Sequence, residues 1–264
     1  MKIALMDSGI GLLPTAAAMR RLRPDADLLL SSDPATMPWG PRTPEDVTEL
    51  ALGCARAAAA HRPDALIVAC NTASVHALPA LRAELEPVLP VVGTVPAIKP
   101  AAAGGGPIAI WATPATTGSP YQRGLIRDFA DGVEVTEVPC PGLADAVQHA
   151  DTEGIDAAVA AAAARTPREV TTVVLGCTHY ELVADRIRAA VQQPDAPPIA
   201  LHGSAGAVAA QALRRIGADP FPPDGAAAPG GLTVILGGRE AALPEVALTY
   251  AEGALLAPVA PARG

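Results

Sequence analysis

The chain reads as an α/β protein: two similar, open, mostly parallel sheets flanked by helices, related by a pseudo-two-fold axis, with the functional cleft between them. Three observations predict this. Strand-like and helix-like segments alternate from end to end. The strand-like segments are continuous apolar runs rather than alternating ones, the mark of strands covered on both faces. Strand-to-polar-loop junctions also recur at nearly one spacing in each half. Asp7 to Cys70 spans 63 residues (70 − 7) and Thr113 to Cys177 spans 64 (177 − 113), as a domain-scale duplication would give.

In the first half, Lys2-Ile3-Ala4-Leu5-Met6 forms a strand over 2–6 that runs into Asp7-Ser8-Gly9. A helical pattern over 13–22, a strand over 27–31 and a helix over 44–61 follow. The apolar run at 65–69 ends in Cys70-Asn71-Thr72, a helix fills 72–86, and a short strand falls at 91–92. Gly104-Gly105-Gly106-Pro107 reads as an exposed join before the second half. There the strands fall at 107–112, 133–138, 170–175 and 198–201, and the helices at 115–129, 155–165, 180–193 and 204–216. A Pro-, Ala- and Gly-rich loop runs from Asp219 to Gly231. After it come a strand over 232–236, a helix over 239–251 and a tail expected to fray beyond Ala257. This last strand and helix have no counterpart in the second half's own set. The expected domains are therefore 1–96 together with 205–264, and 97–204.

The composition narrows the function. A length of 264 residues suits one large or two small domains, and the formal charge of −8 comes without any basic stripe, which argues against a nucleic-acid partner. Gly, Pro or a charge breaks every apolar run before it could span a membrane, and Asp7 interrupts the first run as no signal peptide would allow. Four cysteines without close pairing fit neither a disulfide framework nor a zinc module. A cytoplasmic protein with reduced thiols is expected.

Two junctions carry the chemistry. Ala65-Leu66-Ile67-Val68-Ala69-Cys70 and Val173-Val174-Leu175-Gly176-Cys177 each run a strand into a cysteine, then through small polar residues into a helix. Ligands of open α/β sheets bind beyond strand carboxyl ends, and a helix start stabilises a thiolate. Each half would supply one thiol to a shared cleft, an acid and a base facing each other. Taken alone, each cysteine could be a buried core residue and Asp7 a helix cap. The matched spacing and the polar followers favour chemistry. Cys54, inside an alanine-rich helix, is expected in the core, and His61, His76, His149 and His202 show no metal-ligand spacing.

Motifs in order complete the reading: Asp7-Ser8-Gly9-Ile10-Gly11, Ser32-Asp33, Met37-Pro38-Trp39-Gly40-Pro41, Ala69-Cys70-Asn71-Thr72-Ala73-Ser74 and Gly93-Thr94-Val95-Pro96-Ala97-Ile98-Lys99-Pro100. Then follow Thr113, Thr116, Ser119 and Tyr121, Cys140-Pro141, and Leu175-Gly176-Cys177-Thr178-His179-Tyr180. Over nearly its whole length the chain resembles the glutamate racemases of the aspartate/glutamate racemase superfamily. Cys177-Thr178-His179-Tyr180 favours the glutamate branch over aspartate racemases and decarboxylating relatives.

The resemblance implies cofactor- and metal-independent inversion of glutamate, supplying D-glutamate for peptidoglycan. It implies that Cys177 deprotonates L-glutamate and Cys70 the D-isomer, with Asp7 and His179 assisting the first and second thiol. Ser8, Pro38, Trp39, Gly40, Asn71, Thr72, Thr113, Thr116 and Thr178, with Asp7 and His179, would hold the substrate, in part through backbone amides at Trp39-Gly40. Cys140 would stand aside from catalysis, and members often dimerise, so a homodimer is the assembly to expect.

The chain departs from the family pattern at four places: Trp39 for a usual tyrosine, Gln148 for a glutamate that partners the histidine, Leu12 for a glycine, and Glu181 for a proline. Trp39 and Gln148 leave room for racemisation of another amino acid, or for a weakly active protein with a binding or regulatory role. Cys-His hydrolysis through Cys177 and His179 is a further class, but it gives no account of Cys70.

Overall fold

The computed structural model describes residues 1–222 and 228–257. The first half contains β1 (Lys2–Asp7), α1 (Leu13–Leu22), β2 (Asp27–Ser32), α2 (Pro44–Ala59), β3 (Ala65–Val68), α3 (Asn71–His76), α4 (Leu78–Leu85) and β4 (Val91–Gly93). Helix α5 (Ile98–Ala102) leads to β5 (Ile108–Ala112), α6 (Pro120–Phe129), β6 (Val135–Pro139), α7 (Leu143–Gln148), α8 (Thr152–Ala163), β7 (Thr172–Leu175), α9 (Thr178–Glu181), α10 (Ala184–Val191) and β8 (Ala200–His202). The chain closes with α11 (Ala205–Arg215), β9 (Leu232–Leu236), β10 (Arg239–Ala241) and α12 (Ala251–Leu256).

The strands form two sheets, ordered β10-β9-β2-β1-β3-β4 and β6-β5-β7-β8. Every pairing is parallel except β10 on β9. The order β2-β1-β3-β4 repeats as β6-β5-β7-β8, so each sheet reverses its winding at its centre, between β1 and β3 or between β5 and β7. Those central strands are almost wholly buried, whereas edge strand β6 is half exposed. Their continuous Ile/Leu/Val character follows from helices covering both faces. Trp111 of β5 is fully buried, with its indole N–H donated to Thr166 Oγ1 at 2.9 Å. One apolar cluster runs from Leu5 and Leu30 to Trp111, Leu175 and Tyr180, and so is common to the two sheets.

Several boundaries move for local reasons. The helix expected from 115 starts at Pro120, where Ser119 caps it by accepting from Gln122 N. The one expected from 155 starts at Thr152 behind the Asp151 cap. The pattern over 72–86 breaks at Ala77, before a fresh start that tolerates Pro79 in its first turn. Likewise 180–193 divides into α9 and α10, and the short helices α5 and α7 have too few residues to show a periodicity.

The helix expected over 239–251 is a correction. Gly237 and Gly238 adopt φ of 53° and 78°, the two-residue turn that folds β10 back on β9. A 3-10 turn at Glu245–Thr249 and α12 follow. The expected tail beyond Ala257 and the middle of the 219–231 loop lie outside the described residues. Among the described residues no helix is long and apolar enough to cross a membrane.

Candidate active site

The carboxyl ends of β1, β3, β5 and β7 open on one cavity of about 320 Å³. Its walls include Asp7 and Ser8 after β1, Cys70, Asn71 and Thr72 after β3, Thr113 and Thr116 after β5, and Cys177, Thr178 and His179 after β7. Pro38, Trp39 and Gly40 close another side, so every candidate catalytic or substrate-holding residue lies on this wall. The site occupies the winding reversal of both sheets at once, the position open α/β sheets use for ligands.

The two cysteines are local equivalents. Cys70 (φ −138°, ψ 122°) is the N-cap of α3, and Cys177 (φ −137°, ψ 134°) is the N-cap of α9. Extended backbone at an N-cap turns the side chain toward the free N–H groups of the first helical turn. The amide of Ala73 favours a thiolate at Cys70, and those of His179 and Tyr180 do so at Cys177. Desolvation outweighs these donors. Both thiols are buried, so Cys70 is raised well above its ordinary range, with the Asp7 carboxyl raising it further, and Cys177 is pushed up to about 12.

Two glycines let the helper residues approach. A Cβ on Gly11 would stand 2.5 Å from both Asp7 Oδ2 and His179 Nδ1, and one on Gly9 would overlap the Gln148 amide. His179 Nδ1 consequently lies 4.0 Å from Asp7 Oδ2, while its Nε2 is 3.2 Å from Gln148 Oε1. Burial holds His179 below its ordinary value, against the opposing charges of Asp7 and Asp145. Asp7 Oδ1 and both amide atoms of Asn71 are buried without a partner. A buried polar atom without a hydrogen bond is costly, so this acceptor-and-amide set suits a polar ligand.

Trp39 lines the cavity without offering a hydroxyl. It is buried in the apolar cluster that also holds Met6, Val47 and Cys70, and its Nε1 donates to Thr36 Oγ1 at 3.0 Å. Met37 and Cys140, quoted in the motifs without a binding role, also line the cavity, as does Asp145, which no motif contains. Cys140 reaches the wall from the end of β6, and burial pushes its thiol up to about 12. The strand-end position of Cys140 was the available signal. Asp145 carried none, because its helix is too short to show a face. Cys54 lies in the core as expected. Among the described residues no cluster of three metal-ligating side chains forms.

Comparisons with known proteins find racemases by both sequence and structure. The Asp/Glu/hydantoin racemase family profile matches residues 14–222. The glutamate racemase of Pseudomonas putida KT2440 is 34% identical over 236 residues, 85% of each chain. That of Roseiflexus sp. RS-1 is 38% identical over 192 residues, 71% of this chain and 70% of its own. The crystal structure of Escherichia coli glutamate racemase, in complex with L-glutamate and the activator UDP-MurNAc-Ala, superposes with a TM-score of 0.75. It is 26% identical and aligns over 93% of this chain and 91% of its own.

Proposed function

This chain belongs to the Asp/Glu/hydantoin racemase family, and from that premise we propose that it interconverts L- and D-glutamate with two opposed thiols. The observation that carries the reading is the pair Cys70 and Cys177, alike in backbone conformation, on the wall of one small cavity. Inversion needs two groups. A single base returning its own proton to the same face regenerates the starting isomer. Cys177 as thiolate takes the α-proton of L-glutamate, and the Cys70 thiol delivers a proton to the opposite face. After one turnover Cys177 is protonated and Cys70 is the thiolate, ready for the D-isomer.

The substrate helps to ionise its own base. The charge of Asp7 raises both thiols. An α-ammonium beside the free Asp7 Oδ1 offsets that charge and favours the thiolate, so proton abstraction is coupled to binding. The Asn71 amide, with the hydroxyls of Ser8, Thr72, Thr113, Thr116 and Thr178, receives the carboxylates. No Arg or Lys stands on the cavity wall among the described residues, so neutral donors do this work. The D-glutamate formed would serve peptidoglycan synthesis, with the protein acting in the cytoplasm as a homodimer.

The test is circular dichroism of L-glutamate incubated with the purified chain, beside Cys70→Ser and Cys177→Ser. Wild type should abolish the signal and each variant should leave it nearly intact. Inversion of aspartate but not glutamate would move the assignment to another amino acid. Unchanged inversion in both variants would end the two-thiol reading.

A further inference from the structure

The orientation of the Gln148 side chain is dictated by a backbone group. The amide of Ile10 can only donate, and it meets Gln148 Oε1 at 2.9 Å, so the atom there must be the oxygen. The same oxygen lies 3.2 Å from His179 Nε2. An oxygen already accepting from Ile10 accepts again from Nε2, so Nε2 carries the ring proton. A neutral imidazole holds one such proton, which leaves Nδ1 as a lone pair facing Asp7 Oδ2 at 4.0 Å.

We propose that Gln148 is a positioning residue that fixes His179 in its Nε2–H tautomer, leaving Nδ1 as the one ring nitrogen able to accept a proton beside Asp7. The assignment rests on the racemase reading only for its effect on rate. Gln148 sits at the end of α7 and reaches the loop after β1, tying the Asp7 loop to the helix start that carries His179. Gly9 lies flush against the Gln148 amide and Gly11 against the imidazole, and Gln148, His179 and Asp7 are all buried. Little room is left for water to exchange the tautomers.

A glutamate at this position would accept the same two bonds and add a charge that favours the imidazolium. Glutamine gives the geometry without that charge. The groups that bear on His179 are then Asp7 and Asp145, opposed by burial.

The tautomer is measured directly in the full chain without substrate, by long-range proton–nitrogen correlation of the histidine rings, with His179→Gln identifying the signal. Near neutral pH, Nε2 should give a protonated and Nδ1 an unprotonated nitrogen signature. In Gln148→Leu the acceptor is gone and the two nitrogens should average. In Gln148→Glu the ring should titrate about 1–3 pH units higher, and the pH profile of L-glutamate inversion should move with it. An Nδ1–H signature in wild type, or a Gln148→Glu ring that titrates as wild type does, would overturn the proposal even if Gln148→Leu fails to fold. Loss of racemisation with the tautomer intact would count against the racemase reading alone.

Discussion

His179 Nδ1 stands 4.0 Å from Asp7 Oδ2 across the Cα of Gly11, so the two helper groups face each other rather than each attending its own thiol alone. One belongs to the loop after β1 and the other to the helix start after β7, and their approach joins the two sheets at the floor of the cavity.

Gly11→Ala should therefore cripple the site while sparing the fold. The added Cβ has only 2.5 Å to Asp7 Oδ2 and His179 Nδ1, and overpacking a dense site costs about 1–3 kcal/mol. We expect kcat/KM for glutamate to fall at least about tenfold with an unchanged far-ultraviolet spectrum. Wild-type rates would show that the two groups need not approach.

The parts of the fold with long periodic or apolar signals are legible in the chain itself. β1, β3, β5 and β7 are uninterrupted buried runs, and both thiols, Asp7, His179 and the cavity's hydroxyl and amide groups follow directly from their carboxyl ends. The rest depends on contacts distant in sequence. Glu181, where the family usually has proline, looks like an unexplained surface change until α11 is in place. It then accepts from Ser204 N at 2.8 Å, Ser204 Oγ at 3.0 Å and Ala205 N at 3.4 Å. Gly237-Gly238 could have identified the terminal hairpin, had Arg239-Glu240-Ala241 not resembled a helix start. Gln148 pairs with Ile10, 138 residues away, which no local pattern reveals.

Glu181→Ala should lower stability by about 1–3 kcal/mol, because two amides at the start of α11 lose a buried acceptor. Urea unfolding gives the value, and Glu181→Gln should recover most of it. An unaltered midpoint in Glu181→Ala would mean that water satisfies those amides.

Alkaline stability follows from the thiols. Burial raises Cys54, Cys140 and Cys177 from 9.0 to about 12. Above pH 9 the unfolded chain releases these protons while the folded chain keeps them, so stability falls between pH 9 and about 12. At pH 10 each thiol costs about 1.4 kcal/mol. Between pH 8 and pH 10, Cys54→Ala should lose less stability than wild type by about that amount. Equal losses would show that Cys54 ionises normally in the fold.

Asp145 sits on the cavity wall, where its charge opposes an anionic substrate. Asp145→Asn should lower KM for glutamate, by up to about fivefold at low salt, given roughly 1 kcal/mol for such a pair in water. The gain should shrink at high ionic strength. No change at any salt concentration would mean that the carboxylate points away from bound substrate.

The central claim is that two thiols address opposite faces of one carbon, and deuterium placement tests it most directly. L-glutamate is incubated with the enzyme in deuterium oxide, stopped at low conversion, and the two isomers are separated and weighed by mass spectrometry. The D-glutamate formed should carry one α-deuterium while the recovered L-glutamate carries almost none. Unlabelled D-glutamate, or L-glutamate labelled as fast as product appears, would contradict it, because either outcome means that one group serves both faces.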